Sequence, residues 1–193
     1  IFSTGEVVYG AKAADVYAQI DSLDDALSHV RRLKAQGGRS VKNYNQPRRE
    51  QRQQVTEASR RENMQVVAEG GSLYGLDVTH IADGNSTLEH NIPLETFYED
   101  IQQFFAASKT NYTPTLVVTF GGLAGDPYWR QHTDVFANPL LQAHTPPRQL
   151  RADSARRLMA PEGDYMDDDN AREAHKLAKR GVSIRWVKNR DGR

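Results

Sequence analysis

Ser22-Leu23-Asp24-Asp25-Ala26-Leu27-Ser28-His29-Val30-Arg31-Arg32-Leu33, then Gly37-Gly38, then Ser40-Val41-Lys42-Asn43-Tyr44 read as helix, stop and strand. Leu23, Ala26, Leu27, Val30 and Leu33 recur at helical spacing and form one apolar stripe. Ser22 with Asp25 three residues on makes a capping box with Asp in place of Glu. Glycine accepts the left-handed backbone that a helix C-cap needs, so Gly37-Gly38 ends the helix.

Working outward, the same alternation continues. Upstream, Ile1-Phe2 and Val7-Val8-Tyr9 form a short β-type start. Downstream, Pro47 suits the first position of a second helix reaching about Asn63. Arg48 through Gln54 are so polar that only Val55 and Ala58 remain to pack, which assigns this helix to an outer surface. Met64 to Glu69 read as a strand broken by Gly70-Gly71, and Thr87-Leu88-Glu89-His90 as another. Pro93 opens a third helix with Leu94, Phe97, Tyr98, Ile101, Phe104 and Phe105 on one side. Thr115 to Phe120 is a β-branched and aromatic run suited to a strand covered on both faces. Residues 121–167, rich in proline, read as a long functional loop or insertion. A last helix runs from about Asp168 to Arg180, closed by Gly181, and Val182 to Val187 is a final strand. The acidic run Asp167-Asp168-Asp169 fits that helix's start, where negative charge meets the dipole. Residues 188–193 read as a solvated tail.

Alternating strands and helices build parallel sheets, because each crossover helix packs back on the sheet. A barrel and an open doubly wound sheet share this pattern. No G-x-G-x-x-G or Walker loop opens any of the helices, which weakens the nucleotide-binding version. A complete (β/α)8 barrel needs about 250 residues, and the chain has 193. The expected fold is α/β: a partial (β/α)8 TIM-like barrel over residues 1–187 with its N-terminal strands missing. A chain that opens inside an apolar, strand-like run reads as a piece of a longer one.

Composition narrows the function. Lys+Arg and Asp+Glu are both 25, so the formal net charge is zero. That argues against nucleic acid or an anionic membrane as partner, since both demand excess positive charge. Arg48-Arg49-Glu50-Gln51-Arg52 has no aromatic interleaving and reads as a solvated face. Cysteine is absent, which excludes disulfides, thiolate zinc sites and a cysteine nucleophile. No run approaches the roughly 18 apolar residues of a spanning helix.

In a parallel barrel, reactive groups project from the C-terminal strand ends. Lys42, Glu69 and His90 stand at three consecutive ends. A lysine, a carboxylate and an imidazole are all groups used in metal-dependent hydrolysis, the lysine once carboxylated by CO2. Imidazole and carboxylate ligands suit zinc, manganese or iron. Each residue also has a plain structural reading. Lys42 would be a surface lysine, Glu69 a polar turn residue, and His90 a hydrogen-bonded core histidine or part of the next helix's entry. No HxH or HExxH motif decides between them. A phosphate-binding barrel, with Lys42 as a Schiff-base or phosphate lysine, is a further alternative.

Three strings carry a resemblance: Ser40-Val41-Lys42-Asn43-Tyr44-Asn45-Gln46-Pro47-Arg48-Arg49, Ala68-Glu69-Gly70-Gly71-Ser72-Leu73-Tyr74 and Asp83-Gly84-Asn85-Ser86-Thr87-Leu88-Glu89-His90-Asn91-Ile92-Pro93. They resemble the amidohydrolase superfamily, in the branch related to imidazolonepropionase, often fused behind a TolB-like β-propeller. Tyr112 to Val118 and Tyr128 to Val135 extend the likeness. The resemblance implies a distorted (β/α)8 hydrolase that cleaves C–N bonds of a small-molecule substrate through metal-bound hydroxide, with zinc the expected ion. Lys42 falls where the superfamily's fourth strand carries a metal-bridging carboxylated lysine, and His90 where the sixth strand gives a histidine ligand. Glu69 stands where a fifth-strand histidine is expected, as a substitute ligand or catalytic proton shuttle. Read from the residues alone, Tyr128 and His132, near Trp129 and Asp134, are expected either at a substrate mouth or in a packed aromatic loop. The first-strand His-x-His pair would lie upstream of Ile1, and the eighth-strand aspartate has no evident match. The alternative function is therefore a non-catalytic barrel remnant, packed on a propeller or another partner.

Overall fold

The computed structural model describes residues 4–5, 8–9, 18–44, 46–71, 73–116, 128–155 and 159–185. Helix α1 (Leu23–Ala35) starts as its sequence dictates: Ser22 Oγ accepts the Asp25 amide at 3.1 Å. The carboxylate of Asp25 reaches back one residue further than a capping box does, accepting the Asp21 amide at 3.2 Å. At the other end Gly37 has φ +89°, its N–H bonds to the Lys34 carbonyl, and the Gly38 N–H bonds to that of Leu33. This pair of bonds is a Schellman motif, which satisfies carbonyls that the helix leaves open.

The other elements follow in order: β1 (Val8–Tyr9), β2 (Ala18–Gln19), α1, β3 (Ser40–Asn43), α2 (Arg49–Arg61), β4 (Gln65–Glu69), α3 (Tyr74–Ala82), β5 (Thr87–Glu89), α4 (Glu99–Ser108), β6 (Asn111–Thr113), α5 (Tyr128–His132), α6 (Pro139–His144), α7 (Pro147–Ala155) and α8 (Asp167–Lys179). The fold is mixed α/β. One parallel sheet runs in the order β2-β1-β3-β4-β5-β6, so β3 to β6 are neighbours in chain order. Ile184 adds a single parallel bridge beyond β6, to Tyr112.

Strand alternation sends one set of side chains to the helices and the other away from them. Val41 and Val66 are buried with Ala26, Val30, Leu33 and Val55 of α1 and α2. Leu88 and Tyr112 are buried with Ile81, Ile101, Phe105 and Leu177 of α3, α4 and α8. The opposite face carries Lys42, Glu69, Thr87, Glu89 and Thr113. Between the two apolar clusters lies a polar join. Buried Asn43 donates to Asn85 Oδ1 at 3.1 Å, and Asn85 donates to the His80 carbonyl at 2.8 Å.

Several expectations are corrected. Thr115 and Leu116, expected to open a strand over 115–120, are not in one; the strand here is Asn111–Thr113, followed directly by Pro114, and proline has no N–H to extend a ladder. Residues 117–120 lie outside the described residues. Pro47 and Pro93 precede their helices by two and six residues rather than standing at the first position. Helix α2 is not merely an outer surface: Gln51 and Arg52 are buried, and Gln51 donates to the Ile20 carbonyl at 3.0 Å. Polar side chains here serve the backbone polar groups of neighbouring segments, which must find partners once buried. Much of 121–167 is not irregular but folds as short helices, α5 to α7. Strand β2 and helix α3 are additions that the apolar pattern does not announce. The final strand of 182–187 is reduced to the bridge at Ile184, with 186–187 outside the described residues, as is the tail 188–193.

Candidate functional site

Lys42 is the third residue of β3 and Glu69 the last of β4, both on the face away from the helices. His90 follows β5 at once, with its backbone in the left-handed region at φ +72°. Histidine enters that region more readily than most non-glycine residues. There its amide turns to donate to the Thr113 carbonyl at 3.1 Å. Lys42 aligns with Val67, two residues before Glu69, so its long side chain reaches forward along the sheet.

The three tips meet. Lys42 Nζ lies 2.6 Å from Glu69 Oε2, and His90 Nε2 lies 3.6 Å from Glu69 Oε1. Each carboxylate oxygen thus faces one basic group. About a fifth to a third of each side chain remains exposed, so small molecules can reach them. His90 and Lys42, working against partial burial, hold the Glu69 carboxyl below the ordinary range. Lys42 at 2.6 Å is in hydrogen-bond contact, whereas His90 acts across a gap. The other imidazole nitrogen, Nδ1, lies 3.2 Å from Thr115 Oγ1.

A second carboxylate stands beside the first. Glu89 aligns with Glu69 across the β4–β5 pair. Its Oε1 accepts hydroxyl protons from Thr87 at 2.6 Å and Thr113 at 3.2 Å. The sequence holds a signal for this group, since Thr87 and Glu89 share one face at period two. Asp77 of α3 is a third, and here spacing gives no warning. It is fully buried, and its Oδ1 accepts the Gly71 amide at 2.9 Å. Its Oδ2 has no hydrogen-bond partner among the described residues. Burial pushes its carboxyl up to about 6. Between Glu69 and Gly71, Gly70 is packed so tightly that a Cβ there would lie 2.8 Å from the Glu89 carbonyl. The Gly70 amide donates to that same carbonyl at 2.8 Å. Gly70 therefore ties the end of β4 to the end of β5, and Gly71 ties it to α3.

Tyr128 and His132 belong to a separate cluster. Their rings pack at 4.4 Å with a 39° tilt, Tyr128 meets Tyr165 edge-on at 4.9 Å, and His132 Nε2 lies 3.2 Å from Glu162 Oε2. Gln131 fastens α5 to this segment through Ala160 and the Tyr165 hydroxyl. A cleft of about 680 Å³ lies elsewhere, near the starts of β4 and β5, lined by Gln53, Thr56, Gln65, Asp83 and Ser86 among others. It is at the opposite strand ends from Glu69 and His90.

Among the described residues, no group of three or more His, Cys, Asp or Glu is placed to hold a metal ion. What is present is a carboxylate–imidazole pair. Two donors that share a zinc ion at about 2.0–2.2 Å can be no more than roughly 4 Å apart, and 3.6 Å meets that limit. The third group, Lys42, ligates nothing as an ammonium and would contribute only as a carbamate.

No family model matches the sequence, and no curated protein does. Solved structures match in fold. A bottromycin amidohydrolase superposes with a TM-score of 0.59 at 17% identity, over 93% of this chain and 44% of its own. A Xaa-Pro dipeptidase, solved with methionine in its active site, gives 0.52 at 14% identity, over 94% and 45%. The chain thus has the fold of part of these hydrolases of amide and peptide bonds, and spans less than half the length of either.

Proposed function

We propose that this chain is part of a metal-dependent amidohydrolase: a partial (β/α)8 barrel of the imidazolonepropionase-related branch, whose parent hydrolyses a C–N bond in a small-molecule substrate. The observation that carries the reading is the meeting of Lys42, Glu69 and His90 at the C-terminal ends of adjacent parallel strands. Chain-order parallel strands with helices on one face support the barrel, and the named hydrolases of like fold support the reaction class.

In this reading, Glu69 and His90 would hold a divalent ion, zinc by their donor chemistry, with Lys42 joining as a carbamate. When bound, such an ion activates water at neutral pH and polarises a carbonyl. The chain's own contribution is to orient and to move protons. Where Glu69 is not a ligand, it is the proton shuttle instead: kept ionised by its basic neighbours, it takes the proton on its carboxylate. Lys42, before any modification, offers a cation to a substrate carboxylate or carbonyl. Tyr128 and His132 are assigned to the substrate side, and a β-propeller to the parent protein.

A second reading keeps the fold without the chemistry, as a barrel remnant that packs on a partner. The two-donor set favours it. Zinc uptake in bicarbonate buffer separates the two. Lys42→Ala and His90→Ala are each expected to weaken zinc binding at least roughly ten-fold, because an incomplete ligand set binds weakly. Equal zinc content in wild type and both variants, with equal turnover in a longer parent, would remove the catalytic reading.

A further inference from the structure

We propose that Thr115 is a positioning residue for His90: it aims the ring and lets Nε2 serve either as a donor or as a ligand. The inference rests on the reading of His90 as a metal ligand. The ring stands between two partners, Thr115 Oγ1 at 3.2 Å from Nδ1 and Glu69 Oε1 at 3.6 Å from Nε2. A neutral imidazole carries one N–H, so only one of its two nitrogens can donate at a time. With the proton on Nε2 facing Glu69, the Thr115 hydroxyl donates to Nδ1. With a cation on Nε2, the proton must sit on Nδ1, and the same hydroxyl turns to accept it. A backbone carbonyl or a carboxylate, the usual partners of a ligating histidine, only accept and fix one tautomer.

The hydroxyl is held for this task. Asn91, 5% exposed, donates its side-chain amide to the Thr115 carbonyl at 2.8 Å. The His90 amide donates to Thr113 in the same segment. The end of β6 holds His90 by its backbone and Thr115, two residues on, meets its ring, so the neighbouring strand and its exit set the angle of the imidazole.

Thr115→Val keeps the shape and removes the hydroxyl, and Thr115→Ser keeps the hydroxyl. In the full 193-residue chain, zinc affinity by chelator competition is expected to fall about ten-fold or more in Thr115→Val and to recover to within about two-fold in Thr115→Ser. The imidazole 15N signals of His90 are expected to place the proton on Nε2 without metal and on Nδ1 with zinc. In Thr115→Val they are expected to show mixed tautomers in the metal-free chain. Equal zinc affinity in all three, with unchanged imidazole signals, overturns the role of Thr115 and leaves His90 a ligand. If wild type and His90→Ala take up zinc equally, the ligand reading fails and this inference fails with it.

Discussion

At about pH 7.5 the Asp77→Asn chain is expected to exceed wild type in unfolding free energy by about 1–3 kcal/mol, a lead that vanishes near pH 4. Asp77 is fully buried with one oxygen unpartnered, so its ionised form is disfavoured in the fold. Its carboxyl moves from 3.8 up to about 6, and each unit corresponds to about 1.4 kcal/mol. The sign follows from proton counting. Between those two values the folded chain binds the proton and the unfolded chain does not. This residue therefore adds stability as pH falls from about 6 to 3.8 and withholds it above. Asparagine carries no charge and still offers an oxygen to the Gly71 amide. Its unpaired N–H2 takes back about 1 kcal/mol. Urea midpoints at the two pH values check it, and identical wild-type and variant stabilities at both would show that the carboxylate is not disfavoured there.

The second large effect runs the opposite way. His80 is fully buried on α3, with Nε2 unpartnered among the described residues. Burial, helped by the nearby Arg52 charge, lowers its imidazole from 6.5 to about 4. The unfolded chain protonates first as pH falls, so this residue removes up to about 3 kcal/mol between pH 6.5 and 4. His80→Gln is expected to lose that slope. Relative to wild type it gains about 3 kcal/mol on going from about pH 7.5 to 4, whatever its packing loss at the higher value. A variant whose gap to wild type stays constant over that range would contradict the assignment. The two groups oppose each other over nearly one window, so their own contributions there are expected nearly to cancel. Only the single variants expose the slopes.

The parts of the fold that sequence patterns foretell are those where one face of an element is apolar. Helix α1 with Ser22 and Gly37, strands β3 to β5, and α8 with its acidic start all lie where they read. The reading falters where burial is polar. Gln51, Arg52, Asp77 and His80 are inside and satisfy or crowd other polar groups, a choice no hydrophobic period encodes. It also falters at 111–120, where an apolar β-branched run outbids the short Asn111-Tyr112-Thr113, although Pro114 marks where that strand must end. At the candidate site, the strand-end rule finds Lys42, Glu69 and His90. Two neighbours escape it: Glu89, marked in the sequence only by sharing a face with Thr87, and Thr115, which meets His90 through a turn that only the folded chain displays.

The sheet divides its labour by side. Its fully buried apolar residues Val41, Val66, Leu88 and Tyr112 face the helices, so cohesion comes mainly from one surface, while charged and hydroxyl groups gather on the reverse beside Val67. Residues of the reverse surface can therefore be exchanged without repacking the interior. Changes made on the two sides should combine nearly additively, as they do for positions that share no neighbours. Such a scaffold lets new chemistry be tried while the fold stays as it is.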